Sequence, residues 1–423
     1  PAEDTSLPAH SDLQSDVLPP APASDRVAIL FLPPTVDPSN ELLHMFVQTA
    51  LDNSPELCAA RARICGSEGK WLQVGLRPNP SVGLSGQEIG NDGKIGQWGL
   101  QINKRISRGN KLGLNRSVVS HETEQLRVQL RMDSARLRND VERAFFQSLA
   151  AAHRVHVLQQ LLAMAEETVG RVTRGLRAQE LARTDLLQSE LDLEAARMDV
   201  EAAFDAHRST RRRLAALLRI PDDAVPELAG DSVGALPDFG WSATTQEMFE
   251  NSPAVQRQGY VVEAAKCAVA RQQAERVPDI NVGLTVAYDD SSNDPIASFN
   301  IGRPLLVRDD NRGAIQQAKS ALTAACCELE IVQLRSREKL AEAIRDYDGA
   351  RRRVDRYTSI ILPRAVEHLE LVRAAAYAGE LEFTTYHVAQ REYATYYKQF
   401  LQSLEDAWGY HWEVRNLLDG VTH

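Results

Sequence analysis

The stretch P-N-P-S-V-G-L at residues 78–84 returns as P-D-I-N-V-G-L at residues 278–284. The echo extends in both directions. Asn53-Ser54-Pro55 is matched by Asn251-Ser252-Pro253, Ala178, Glu180 and Leu181 by Ala378, Glu380 and Leu381, and Leu217-Leu218 by Leu417-Leu418. An internal duplication constrains the fold strongly, because one unit must be buildable twice and the copies must share a surface. Each copy reads as helix, two short strands, long helix, turn, helix. The chain therefore divides into an extended segment 1–40, a first repeat 41–222, a linker 223–246 and a second repeat 247–420.

Helices make up the bulk of both repeats. From Leu130 onward two seven-residue series interleave: Leu137, Ala144, Ala151, Leu158, Ala165, Val172 and Val141, Ser148, Val155, Leu162, Val169, Leu176. That spacing predicts coiled-coil packing, with enough Ala and Ser to let helices approach closely. No proline interrupts residues 112–174, so the first long helix, spanning 110–174, is predicted to be a rod of roughly 95 Å at 1.5 Å per residue. Segments 44–76 and 182–219 are each about half as long and match it when placed end to end. The second copy repeats the arithmetic with 310–374 against 247–276 and 382–418. Each repeat is expected as one unbroken strut beside two stacked half-struts, the units antiparallel about a common axis. The fold class is mainly α with a small β part.

The strands are expected where the struts must enter something else. Residues 80–90, 95–106, 279–289 and 295–306 each supply about the 9 to 11 residues that cross a bilayer as tilted strands. In the third, Ile280, Val282, Leu284, Val286 and Tyr288 alternate with Asn281, Gly283, Thr285 and Ala287. Trp98, Leu100 and Ile102 continue the apolar set in the second strand, and Phe299 and Ile301 in the fourth. Trp98, Leu100, Val282, Leu284, Val286, Tyr288, Phe299 and Ile301 are therefore expected on a lipid-facing surface. A soluble, half-buried hairpin would carry the same alternation. Long helices beside the strands favour the membrane reading. Four strands cannot close a barrel, and open edges are not tolerated in hydrocarbon, so several chains must share one barrel. Residues 90–94 and 289–295 read as hairpin loops. Gly93-Lys94 is no phosphate loop, because the hydroxyl residue after Lys is missing.

Composition excludes other classes. The net charge of −10 counts against a nucleic-acid partner. Arg211-Arg212-Arg213 and Arg351-Arg352-Arg353 are the dense basic runs, and Asp346, Asp348 and Asp355 flank the second at helical spacing, as on a solvated, ion-paired face. No run of about 18 apolar residues predicts a transmembrane helix. The start at Pro1 predicts a processed N-terminus followed by an extended leader. Cys58 and Cys65 are too far apart on one helix to bridge, and Cys326 and Cys327 point in different directions, so the cysteines read as small helix-packing residues. His153 and His156 share a helix face without a third ligand. No zinc-protease motif, nucleophile elbow, calcium loop or phosphate loop is present, so no enzyme, cofactor or metal site is expected.

The Pro-x-x-x-Val-Gly-Leu strand starts, the strand exits I-S-R-G-N-K-L-G at 106–113 and P-L-L-V-R-D-D-N-R-G at 304–313, and the stretch I-L-P-R-A-V-E-H-L-E-L-V-R-A-A-A-Y-A-G-E-L at 361–381 resemble the TolC-like outer-membrane efflux channels of Gram-negative bacteria. The resemblance covers about residues 41–420. It implies a homotrimer with a twelve-stranded outer-membrane barrel, continued by a helical barrel across the periplasm. It also implies a periplasmic membrane-fusion adaptor and an inner-membrane pump of the proton-driven resistance-nodulation-division type. Within the family the chain resembles the outer-membrane subunits of cobalt–zinc–cadmium efflux systems, which implies heavy-metal cations as cargo. Drug efflux and type I polypeptide secretion are the alternatives on the same fold. A soluble coiled-coil scaffold or adaptor is the alternative from another class.

Two departures from the family bear on function. Gln179 stands where the second copy has Gly379, so the first turn is expected to bend less tightly than the second. Arg174, Arg177, Gln179, Glu180, Gly379 and Glu380 lie at the helix tips and are candidate adaptor contacts. The family's acidic gate positions fall here on Thr385 and Val388, with Asp185 in the first copy and Glu382 one turn before Tyr386. A constriction sealed by packing and hydrogen bonds is expected, with weaker cation blockade than a carboxylate ring would give. His387 adjoins these positions and would add charge near pH 6 to 7 if it faced the pore, a neutral polar role being the preferred reading.

Overall fold

The computed structural model describes residues 41–89, 95–226, 228, 236–239, 252–290, 292–305 and 307–419. The leader, the loop 90–94 and most of the linker lie outside the described residues.

Proline sets the first break. Helix α1 (Glu41–Asn53) ends before Ser54, whose Oγ accepts from the Leu57 N–H at 3.3 Å, and α2 (Pro55–Val74) starts on Pro55. Proline suits a first helical turn, where its missing N–H goes unused. The helix expected over 44–76 is thus two helices. The first hairpin, β1 (Ser81–Ile89) and β2 (Ile95–Ile106), leads into α3 (Lys111–Arg177), which runs 67 residues without interruption. The chain turns back into α4 (Arg183–Leu218), followed by one 3₁₀ turn at Asp222–Ala224.

The second copy repeats this plan with α5 (Pro253–Ala274), β3 (Ile280–Asp289), β4 (Asp294–Gly302), a long helical run and α8 (Phe383–Leu418). Its long helix is not the unbroken strut expected. Helix α6 (Arg312–Arg356) passes through a π-helical segment at Tyr357–Ile361 before α7 (Leu362–Tyr377). Pro363 is the cause: it lacks the N–H that would meet the Ser359 carbonyl, and its ring crowds that carbonyl, so the ladder widens. The Thr358 hydroxyl donates to Val354 O at 3.1 Å, and Ser359 Oγ to Asp355 O at 2.5 Å, satisfying acceptors beside the distortion.

The half-struts stack as expected. Leu43, Phe46, Val47 and Ala50 of α1 form one core with Leu214, Ala215 and Leu218 of α4 over Val141, Ala144 and Phe145, in the middle of α3. Helix α2 runs beside the start of α3, where Lys70 pairs with Glu122 at 2.6 Å and Ser67 Oγ meets Thr123 Oγ1 at 2.8 Å. The repeats join along α3. Arg271 donates to Asn115 and Arg257 to Gln129 from α5; Arg154–Glu405 and Arg415–Glu142 tie α3 to α8 lower down. Buried Asn139 donates to Asn416 Oδ1 at 2.8 Å and fixes the register between repeats. The helices thus stand as a palisade whose outer members are α2 and α4 on one side and α6 and α7 on the other.

Cys58, Cys65, Cys326 and Cys327 are exposed on the single chain, and Cys267 is half-buried. The first four are therefore not packed against the described residues, because the helix faces that carry them have no neighbour among those residues.

Candidate functional site

The four strands form one antiparallel sheet in the order β1-β2-β3-β4. Register sorts its two faces. One face carries the rows Val82–Ile102–Leu284–Phe299 and Leu84–Leu100–Val286–Ala297, with Val282 beside Ile301 and Trp98 beside Tyr288. All eight residues expected to face lipid share it, and most are exposed; Val282 and Tyr288 are half-buried. The Trp98 and Tyr288 rings lie 6.3 Å apart near one end of the strands, the place where aromatic belts form. The opposite face carries Gly83–Gln101–Thr285–Ser298 and Asn103–Gly283–Asn300. Among the described residues, β1 and β4 have unpaired outer edges. Strand β4 ends at Gly302, short of the 306 expected, because Pro304 has no N–H to offer a ladder.

A buried ion cluster sits where sheet meets helices. Asp279 accepts from Arg105 Nε at 2.7 Å, from the Arg108 backbone N–H at 3.2 Å and from Lys111 Nζ at 2.9 Å, and Lys111 also pairs with Glu275. Burial pushes the Asp279 carboxyl up, but these donors outweigh it and hold the carboxyl below the usual range. The cluster clamps the end of β2 to the start of β3, coupling the two hairpins across the repeat boundary. Sequence reading missed it, since Asp279 and Lys111 are 168 residues apart.

At the opposite end the chain makes two turns. Ala178 N–H reaches Arg174 O and Glu180 N–H reaches Gly175 O; Ala378 N–H reaches Ala374 O and Glu380 N–H reaches Ala375 O. Gln179 has φ 62° and Gly379 φ 76°, so both turns use a left-handed residue at the same place. The looser first turn expected from Gln179 does not occur, because Gln179 adopts the glycine-like conformation at a cost of about 1–2 kcal/mol. Arg174, Arg177, Gln179, Glu180, Gly379 and Glu380 are all exposed.

The gate candidates separate into three environments. Glu382, Thr385 and Val388 are exposed at three-residue spacing along one stripe of α8, while Tyr386 and Ala389 are buried on the other side. Asp185 accepts the Ala182 N–H at 3.0 Å, acting as an N-terminal cap of α4. His387 is not on the stripe. It turns toward α4, where its Nε2 lies 2.9 Å from Asp192 Oδ2 without the alignment of a hydrogen bond. Beside it Thr168 Oγ1 donates to Gln390 Oε1 at 2.8 Å, and Lys398 pairs with Asp199 at 2.8 Å. His387 therefore links the two repeats. The i+3 stripe alone, read from Glu382, would have separated it from Thr385 and Val388. Among the described residues, no group of three His, Cys, Asp or Glu side chains could hold a metal ion, and no helix is long and apolar enough to cross a membrane.

A two-faced four-stranded sheet on a palisade of paired long helices is the fold of the TolC-like outer-membrane channels. Residues 46–218 match the family described as outer membrane efflux protein. The chain is 23% identical over 283 residues to the cobalt-zinc-cadmium resistance protein CzcC of Cupriavidus metallidurans, covering 66% of this chain and 67% of that one. It is 26% identical over 278 residues to the outer membrane efflux protein BepC of Brucella suis, covering 60% and 57%. The open state of the MtrE outer membrane channel of Neisseria gonorrhoeae superposes with TM-score 0.74 at 16% identity, covering 90% of this chain and 89% of that one. The first repeat thus carries the pattern of the outer membrane efflux proteins, the described chain shares the fold of outer-membrane channels, and the chain is located in the outer membrane.

Proposed function

We propose that the chain is the passive outer-membrane conduit of a tripartite efflux system, assembled as a homotrimer and exporting heavy-metal cations. A periplasmic adaptor and a proton-driven inner-membrane pump of the resistance-nodulation-division type would supply them. The observation that carries the reading is that both layers end in open edges of matching character. β1 and β4 are unpaired, α4 turns Leu187, Leu191 and Met198 outward, and α6 and α7 turn Leu334 and Leu371 outward. Three copies would join four strands each into a closed barrel and bury one helical edge against the next. The apolar face of the sheet, Trp98 to Ile301, would then meet lipid.

The metal cargo is supported by the similarity to CzcC, whose name records cobalt, zinc and cadmium resistance. Deletion of the gene followed by growth on divalent metals, dyes and detergents tests the cargo: sensitivity confined to metals is expected. Sensitivity to dyes and detergents alone would replace it with drug efflux. Crosslinking in mild detergent tests the assembly and should give three copies; a stable monomer retaining its strands would refute it.

A further inference from the structure

Midway along the helices, α3, α4 and α8 enclose a groove of about 530 Å³, a size that suits a small organic ligand. Its floor is aromatic. Phe146 and Trp408 stack at 5.3 Å, and Trp412 lies 5.7 Å from Phe146. Alanines 202, 203 and 206 of α4 leave the space open beside the rings. The groove lies on the side of α8 turned away from Val414, since Glu405 is half a helical turn round from it; Val414 belongs to the core against which Leu236 and Phe239 of the linker pack.

The rim is not charge-balanced. Arg154 is paired with Glu405 at 3.2 Å and Lys398 with Asp199 at 2.8 Å. Arg143 and Arg213 have no carboxylate partner among the described residues: Arg213 donates to Gln147 Oε1 at 3.3 Å, and the Nε of Arg143 is buried without an acceptor. The indole Nε1 atoms of Trp408 and of Trp412, itself 2% exposed, are also buried without an acceptor. Buried donors without partners are rare in folded proteins, and three of them bordering one groove call for an incoming acceptor. In a chain of net charge −10 this groove has two surplus cations over an aromatic floor.

We propose that the groove binds an amphipathic organic anion. Its flat apolar body would lie on Phe146, Trp408 and Trp412, and a single carboxylate or sulfonate would be held by Arg143 and Arg213. Planar guanidinium groups suit such oxyanions, and charge-assisted hydrogen bonds to them are the strong kind. A metal cation does not fit this rim. The site goes beyond the cargo assigned above and stands independently of it.

The test uses the full chain in lipid nanodiscs, with empty nanodiscs subtracted. The probe is 1-anilinonaphthalene-8-sulfonate, read by energy transfer from tryptophan. Saturable binding is expected, weakened at least ~tenfold in the Arg143→Gln, Arg213→Gln double variant. Ala206→Leu should fill the groove and abolish binding. In the unaltered protein, 1-anilinonaphthalene without the sulfonate should bind at least ~tenfold more weakly than the anion, and the double variant should not discriminate the two. Equal affinity of the unaltered protein for anion and neutral parent overturns the proposal, as does undiminished binding in Ala206→Leu.

Discussion

His411 makes the stability of the helical region depend on pH in a window set by its surroundings. Its ring lies 5.1 Å from Trp408, 5.0 Å from Trp412 and 5.3 Å from Phe239, it is 8% exposed, and its Nδ1 has no hydrogen-bond partner among the described residues. Burial, reinforced by the positive charge of Arg415, lowers its pKa from 6.5 to about 4. The unfolded chain takes up this proton near pH 6.5 and the folded chain only near pH 4. Between those values the unfolded state holds more protons, so stability falls as pH drops through the window and is fully present above it. At about 1.4 kcal/mol per pH unit the whole window is worth about 3 kcal/mol per chain. His411→Phe keeps a ring in the aromatic cluster and removes the titration. Urea unfolding followed by circular dichroism at 222 nm, between pH 7 and pH 4.5, should show a steep loss for the unaltered protein. The His411→Phe variant should lose about 2 to 3 kcal/mol less over the same interval. Equal losses in the two proteins would refute the argument, as would an imidazole found to titrate near pH 6.5.

Asp279→Asn should cost about 1.5–3 kcal/mol, because the charge-assisted bonds from Lys111 and Arg105 are weakened while Glu275 still pairs with Lys111, and the proposed trimer should dissociate at lower temperature on heated gels. The intact pair is present above about pH 3.9 and lost only as pH falls through the lower folded value of Asp279. Gln179→Gly should leave the melting temperature unchanged or raise it by the equivalent of up to about 1 kcal/mol, whereas Gly379→Gln should lower it by about 1–2 kcal/mol. Thr385→Asp should create strong block of single-channel conductance by trivalent cations added from the tip side, where the unaltered channel shows little; equal block in both would place the responsible carboxylates at Glu382 or Asp185. Charge reversal at Arg177 together with Glu380 should abolish efflux while trimers persist in the outer membrane, and full resistance in that variant would rule the tips out as adaptor contacts.

The duplication, the bilayer-length strands and the long helices were legible because each rests on a local period. Two-residue alternation assigned Leu284 and Val286 to one face, and the register of β2 on β3 brings Leu100 and Ile102 onto that face with them. Seven-residue spacing selected Val141, Ala144, Ala151, Val155, Leu158 and Val172, all of which are buried. The ion cluster at Asp279, the Asp192–His387 contact and the aromatic groove were not legible. Each joins residues from the two repeats, and a period along one helix says which side is apolar without saying which helix lies against it. The cysteines failed for a related reason. Small residues predict close packing, but Cys58, Cys65, Cys326 and Cys327 are exposed among the described residues.

The two turns show why local preference gave way. Asn110 and Asn311 begin the two long helices in left-handed geometry at φ 55° and 61°, and Gln179 and Gly379 end them at φ 62° and 76°. Asparagine tolerates that region and glycine favours it, but glutamine there loses about 1–2 kcal/mol. A looser turn at Gln179 would relieve this and shift the start of α4 against α3. Val172 and Leu193 are both buried near that end of the first repeat, and each fully buried aliphatic side chain is worth about 1.5–3 kcal/mol. Losing both of them would outweigh the backbone penalty, so the seam dictates the turn and the residue conforms. The same comparison covers Pro363. A proline inside a helix costs about 3 kcal/mol, yet widening one turn over Tyr357–Ile361 lets Leu362, Leu369 and Val372 stay in the core with Tyr393 and Tyr397. In both places a short distortion is retained because the alternative is to lose packing along a helix many turns long.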